Sequence, residues 1–262
     1  MALWFKTMTF NNRGYLITGA ASGIGLATAR LLCARGARLV LWDRDAIRLE
    51  AAGRELHAHA APVDITDSKR VQEAMQRAVE HLGGLDGVVH CAGILHAGLF
   101  ADVDLEMHRR VVEVNLSGTV AVAYAALPHL KPSRGSLVML SSTAACYGAP
   151  EYAVYGASKA GILNFAQALR IELEGTGVHI GVVCPLFVSS PMLDGYNGQT
   201  HLIRSGSPFV DVRPPEKVAE VILRGIERRQ FMMWPGWRAR MIFWMSRYLS
   251  AFGHRIMSRS WR

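Results

Sequence analysis

The sequence predicts an α/β fold: one doubly wound parallel sheet in a single domain, followed by an amphipathic helical tail. Three observations carry this. Short, near-continuous apolar runs alternate with longer stretches of helical periodicity along most of the chain. A glycine-rich turn separates the first apolar run from the first helical stretch. With 262 residues, half of them apolar, the chain can build one large core without a second domain. Apolar strands interleaved with helices imply a parallel sheet covered on both faces, wound by right-handed crossovers.

The strands are read at 14–19 (GYLITG), 37–43 (ARLVLWD), 58–64 (AHAAPVD), 85–93 (LDGVVHCAG), 135–142 (GSLVMLSS) and 178–185 (VHIGVVCP). Helical patterns lie near 23–35, 45–56, 67–82, 104–130, 152–174 and 215–229. Residues 186–215 break the alternation with Gly, Ser and Pro among scattered apolar residues. A connection this long in a compact domain is usually functional, and it is read as a substrate lid. The domain is therefore drawn as 1–230 and the tail as 231–262.

Charge is concentrated in that tail. The net charge is +8, but 231–262 carries six arginines and no acid, which leaves about +2 for the rest. A basic binding face on the main domain is missing, so no nucleic-acid partner is expected. Four cysteines without a CxxC pair fit reduced thiols in a cytoplasm, and Cys91, Cys146 and Cys184 are taken as packing residues. His57 and His59 have no accompanying ligand cluster, so no metal is expected. The start MALWFKTMTF does not read as a signal peptide, and no 18-residue uninterrupted apolar run predicts a spanning helix.

Ligands of such folds bind at the carboxyl ends of the strands, and the motifs cluster there. TGAASGIG (18–25) follows the first strand and opens the first helix. Its Gly19, Ser22, Gly23, Ile24 and Gly25 suit a backbone cradle for a pyrophosphate at a helix N-terminus. Asp43 closes the second strand, where a carboxylate accepts ribose hydroxyls and repels a 2′-phosphate. NAD is accordingly the favoured cofactor, with NADP as the alternative if Arg44 reaches a phosphate. Asp43 also suits a helix N-cap. Tyr155 and Lys159 fall four apart within YGASK, on one face of a helix. Alone, they would be an ordinary surface pair.

Taken together and in order, TGAASGIG, VDIT (63–66), CAG (91–93), VNLSG (114–118), LSS (140–142) and YGASK (155–159) resemble the short-chain dehydrogenase/reductase family over about 10–230. The resemblance implies a Rossmann fold and specific roles. Asp64 and Ile65 would border the adenine, and Ala92 and Gly93 would line the cofactor channel. Asn115, Ser142, Tyr155 and Lys159 would form the catalytic set, Ser142 being preferred over Ser141 for its 13-residue interval to Tyr155. Pro185, Val188 and Ser190 would lie beside the nicotinamide. Here Leu186 stands where the family has glycine and Ser190 where it has threonine, so the fine geometry on this side departs from the family pattern. Asn115 has a second reading, as stabiliser of a helix kink.

The chemistry follows from the groups. Tyr155 would exchange a proton with the substrate oxygen, and a nearby ammonium, Lys159, would lower its pKa and hold the nicotinamide ribose. Ser142 would donate to the substrate oxygen. Asn115 would hold a water linking Lys159 to solvent. The expected activity is NAD(P)-dependent interconversion of a secondary alcohol and a ketone, on a hydrophobic or lipid-like substrate. The alternatives are an NADPH-dependent 3-oxoacyl or 3-ketosphinganine-type reductase and a non-catalytic dinucleotide sensor.

In the tail, Met241, Met245, Tyr248, Phe252 and Ile256 share a helical stripe with Trp244 beside it, flanked by Arg240, Arg247 and His254. This suits an interfacial helix on anionic lipid, a helix packed on the body or on a second subunit, or a dock for an acidic carrier protein. The resemblance implies a dimer or tetramer. A cytoplasmic protein, held peripherally on the inner face of a membrane if the tail binds lipid, is expected.

Overall fold

The computed structural model describes residues 10–194 and 212–248. Seven parallel strands form one sheet in the order β3-β2-β1-β4-β5-β6-β9. They are β1 (Gly14–Thr18), β2 (Arg38–Asp43), β3 (His59–Pro62), β4 (Gly87–His90), β5 (Ser136–Leu140), β6 (His179–Val183) and β9 (Met232–Met233). The order reverses between β1 and β4, the switch point where doubly wound sheets open a crevice.

Alternation along the strands sends neighbouring side chains to opposite layers. Leu16, Val40 and Val88 pack with Met75 of α3 (Ser68–Leu82), Leu130 of α5 (Gly118–Ser133) and Ile162 of α6 (Ala153–Glu172). Ile17, Leu41 and Val89 face Leu32 of α1 (Gly23–Ala34), Leu49 of α2 (Ala46–Leu56) and Ile222 of α8 (Pro215–Glu227). Tyr15 lies beside a strand position that must be bare. A Cβ on Gly87 would come within 2.2 Å of its ring. Among the described residues the buried Tyr15 hydroxyl has no hydrogen-bond partner.

Helix starts obey simple capping chemistry. Asp45 accepts the Arg48 N–H, Asp67 that of Arg70, and Asp104 that of Glu106. His57 ends α2 in the left-handed conformation, and His59 stacks on His81 at 4.6 Å.

Three features differ from the sequence expectation. The helix drawn at 104–130 is α4 (Leu105–Val112), a wide π-turn at Glu113–Ser117 that contains Asn115, and α5. By length and apolarity Leu105–Ser133 would serve to cross a membrane, but half of its most apolar window is buried in the fold. Secondly, β9 continues the sheet beyond residue 230, where the tail was drawn to begin. It is only two residues long, too short for any period to register. Thirdly, the connection read as a lid starts with β7 (Phe187–Val188) and α7 (Pro191–Asp194) and ends with β8 (Val212–Arg213). β7 and β8 pair in parallel, Phe187 opposite Val212. The lid's centre, 195–211, lies outside the described residues.

The tail forms α9 (Trp237–Tyr248), and its orientation corrects the expected stripe. Ala239 is fully buried and Phe243 packs on Trp234 at 5.0 Å. Those contacts turn Ile242 and Met245 inward, while Trp237, Trp244 and Tyr248 stand exposed among Arg240 and Arg247. Met245 and Tyr248 thus part company. Phe252, His254 and Ile256 lie outside the described residues.

Candidate active site

The carboxyl ends of β1, β2, β4, β5 and β6 border a cavity of about 600 Å³. Gly19, Ser22, Gly23, Ile24, Gly25 and Asp43 line one end. Gly19 has φ +66°, and a Cβ there would lie 2.7 Å from the Ala92 nitrogen. A Cβ on Gly25 would lie 2.0 Å from the Gly19 carbonyl oxygen, so the turn closes only with glycine at both positions. α1 begins at Gly23 with no acidic residue in its first turn and no side-chain cap from Ser22. Its free N–H groups and dipole suit an anion. A pyrophosphate fits this cradle.

Asp43 Oδ2 accepts the Ala21 N–H at 3.1 Å, and Oδ1 accepts the Asp45 N–H at 3.0 Å. The carboxylate ties the glycine turn to β2 and faces the cavity. The capping role belongs instead to Asp45, which lies one position before α2. Arg44 and Arg48 line the same end.

Asp64 and Ile65 border the next stretch. Burial alone would raise the Asp64 pKa. Hydrogen bonds from the Thr66 N–H and hydroxyl, and the Arg110 guanidinium at 3.2 Å, outweigh it and hold the carboxyl below its usual range. Ala92, Gly93, Pro185, Val188 and Ser190 line the central part.

Ser142 and Tyr155 line the far side together, the Ser142 hydroxyl near enough to favour the ionised form of the Tyr155 phenol. Ser142 Oγ also accepts the Ala144 N–H at 3.1 Å, which fixes its direction. Tyr152 stands edge-on to the Tyr155 ring, centroids 6.3 Å apart. Lys159 and Asn115 stand behind the wall. Lys159 Nζ donates to the Leu140 carbonyl at 3.0 Å and lies 5.8 Å from the Tyr155 ring centre. A Cβ on Gly93 would come within 3.0 Å of Asn115 Oδ1 and 3.3 Å of that Nζ, so the segment after β4 passes close to both side chains.

The electrostatics correct one expectation. Burial pushes the Tyr155 phenol up to about 12, against the pull of the Ser142 hydrogen bond. Burial also brings Lys159 down to about 8. Desolvation thus exceeds the acidifying effect expected of Lys159, and in the chain by itself Tyr155 is a proton donor at neutral pH.

Asn115 is fully buried. Its Oδ1 accepts the Ile94 N–H at 2.8 Å, and its Nδ2 donates to the Ile94 carbonyl at 2.9 Å and to Ser158 Oγ at 3.1 Å. It clamps the segment after β4 to the π-turn, so the kink-stabilising role is present in the structure. The water-holding role adds to it only as a proposal.

Sequence reasoning missed His90, which is buried at the end of β4. Thr119 Oγ1 donates to the Asn115 main-chain oxygen, so it accepts from His90 Nε2 at 3.1 Å. Nε2 therefore carries the proton, and Nδ1 accepts from Thr18 Oγ1 at 2.8 Å. Thr18 Oγ1 in turn accepts the Ala92 N–H. One neutral imidazole thus joins the glycine turn to the Asn115 turn. Burial, helped by Lys159, brings the His90 pKa down to about 3. Apolar context gave no signal for this bridge.

The sequence from 14 to 200 matches the profile of the family described as short chain dehydrogenase. The chain belongs to the short-chain dehydrogenase/reductase family. It is 34% identical to the meso-2,3-butanediol dehydrogenase of Serratia marcescens over 195 residues, covering 72% of this chain and 76% of that protein. It is 32% identical to a 3-oxoacyl-(acyl-carrier-protein) reductase of Thermotoga maritima, covering 82% and 91%. The 11-beta-hydroxysteroid dehydrogenase 1A of Arabidopsis thaliana is 34% identical, with 85% and 68% covered. A solved short-chain type dehydrogenase/reductase from Mycobacterium ulcerans superposes with a TM-score of 0.77 at 28% identity, covering 84% of each chain. As a short-chain dehydrogenase/reductase, the chain is an NAD(P)-dependent oxidoreductase acting on CH–OH groups.

Two thiols, Cys91 and Cys184, lie near Lys159. Burial pushes the Cys91 thiol up to about 12. The neighbouring Cys146 thiol together with burial holds the Cys184 thiol well above the usual range.

Proposed function

We propose that this dehydrogenase/reductase interconverts a hydrophobic secondary alcohol and its ketone, with NAD as the preferred dinucleotide. The Ser142–Tyr155 hydroxyl pair converges on a cavity whose outer walls include Tyr147, Met192, Leu193, Ile242 and Met245. That convergence carries the proposal. A carbonyl oxygen seated on the two hydroxyls leaves its substituents against apolar side chains.

The bound dinucleotide supplies or takes the hydride. The residues of the chain do the rest. Ser142 fixes the substrate oxygen and stabilises charge developing on it. Tyr155 delivers a proton from its hydroxyl to that oxygen in reduction, and takes it back in oxidation. Lys159 lies one helical turn away and supplies positive charge behind the phenol.

Asp43 supports the NAD preference, since a carboxylate at this place repels a 2′-phosphate. Arg44 and Arg48 favour the runner-up, an NADPH-linked reductase of 3-oxoacyl or ketosphinganine type. The resemblance to a 3-oxoacyl reductase points the same way. A non-catalytic sensor would have no use for the intact hydroxyl pair. Consumption of NADH and NADPH over ketones and alcohols of graded chain length tests all three. Turnover with strong NADPH selectivity favours the runner-up, and binding without turnover favours the sensor.

Two partners belong to the proposal. Val120 (41% exposed) and Tyr124 (70% exposed), one turn apart on α5, suit a face shared with a second copy. Trp237, Trp244 and Tyr248 beside Arg240 and Arg247 suit a peripheral seat on anionic lipid at the cytoplasmic side of a membrane. Native mass and vesicle flotation test them separately.

A further inference from the structure

α9 lies beyond both the last strand of the sheet and the family-matched segment 14–200, yet it returns to the reaction site. Ile242 and Met245 line the same cavity as Ser142 and Tyr155. Two independent features hold the helix there. Gly236, with φ +107°, makes the turn into α9. A Cβ on it would lie 2.8 Å from the Arg213 guanidinium, so that side chain packs directly on the turn. Ala239, fully buried, then lets the helix approach closely, and Phe243 against Trp234 fixes its rotation. With the rotation fixed, the positions three and six after Ala239 face inward.

We propose that Ile242 and Met245 are specificity-determining residues: they contact the apolar substituent of the substrate and set the length admitted. This rests on the proposed alcohol–ketone function. Their chemistry divides the task. Ile242 is β-branched and stiff, so it forms the fixed limit. Met245 is unbranched and deformable, so it adapts to what passes the limit. Neither side chain carries an exchangeable proton, so they select substrate without taking part in proton transfer.

The test uses the full chain and the 2-ketones from 2-butanone to 2-dodecanone, with NADH or NADPH, whichever the wild type uses. Each buried methylene is worth about fourfold in kcat/KM, so the wild-type profile rises until the wall is met. Ile242→Trp moves the wall inward. The ratio of kcat/KM for 2-dodecanone to that for 2-butanone then falls by at least about tenfold. Ile242→Ala and Met245→Ala move it outward and raise that ratio, which serves if the tryptophan variant fails to fold. Calorimetric binding of 2-dodecanol follows the same order without turnover. An unchanged ratio in folded, dinucleotide-binding variants overturns the proposal. If the wild type turns over none of the series, the function reading fails, and the calorimetry alone decides. An unchanged 2-dodecanol affinity across the variants then overturns the wall.

Discussion

The Asp43 carboxylate accepts the Ala21 N–H at 3.1 Å, so a residue that lines the cavity also stitches the glycine turn to β2. Charge and tether can be separated. Asp43→Asn keeps one acceptor oxygen for the Ala21 N–H, gives up the bond from the Asp45 N–H and removes the charge, beside Arg44 and Arg48. It is expected to move the NADP to NAD ratio of kcat/KM toward NADP by at least about tenfold, the worth of about 1.4 kcal/mol. Asp43→Ala loses both functions and should weaken both dinucleotides. Steady-state kinetics with each cofactor checks this, and an unchanged ratio in Asp43→Asn means the ribose is read elsewhere.

Tyr155→Phe removes the hydroxyl that lies beside Ser142 in the cavity. Turnover should fall by about 10²- to 10⁴-fold while dinucleotide binding, measured by fluorescence titration, stays within a few-fold. Ser142→Ala should cost about 10²-fold and leave binding equally intact. Residual activity near wild type in Tyr155→Phe would assign the proton to another group.

His90 and His179 are buried neutral, at about 3 and about 4 against an ordinary 6.5. Below 6.5 the unfolded chain binds these protons and the native chain does not, so stability is complete above that value and declines as pH falls toward 4. The slope is about 1.4 kcal/mol per pH unit for each histidine. Melting midpoints recorded from pH 7 to pH 4 should drop accordingly. In His90→Gln the drop should be shallower, since one of the two groups no longer titrates. Equal slopes in both proteins would show that His90 is not held neutral.

Removing the Tyr15 hydroxyl should help. It is buried without a partner among the described residues, so Tyr15→Phe leaves the packing against Gly87 and Phe10 and deletes an unmet polar group. A gain of about 1–2 kcal/mol in denaturant unfolding is expected. A loss would reveal a hydrogen bond at that oxygen.

Most of the sheet was legible because parallel strands buried on both faces leave dense apolar runs, from GYLIT to HIGVV. The glycine turn was legible because only glycine tolerates the contact between positions 19 and 25. Tyr155 and Lys159 share a helical face, as their spacing requires, although burial governs both pKa values. The rest depended on distance in space. The span 104–130 read as one helix because a π-turn inserts one residue without changing composition. His90 bridges Thr18 and Thr119, whose positions only the folded sheet brings together. Met245 read as part of an apolar stripe for lipid, the body or a second subunit, and Ile242 was not singled out, because nothing local shows which side of α9 meets the cavity.

The pairing of β7 with β8 holds Phe187 beside Val212, so the two ends of the intervening segment meet whatever lies between them. Chain closure grows only slowly with length, by about 0.6 kcal/mol for each doubling. The clasp therefore fixes both ends of the connection, and versions shortened only between 194 and 212 should leave the proton-transfer residues where they are.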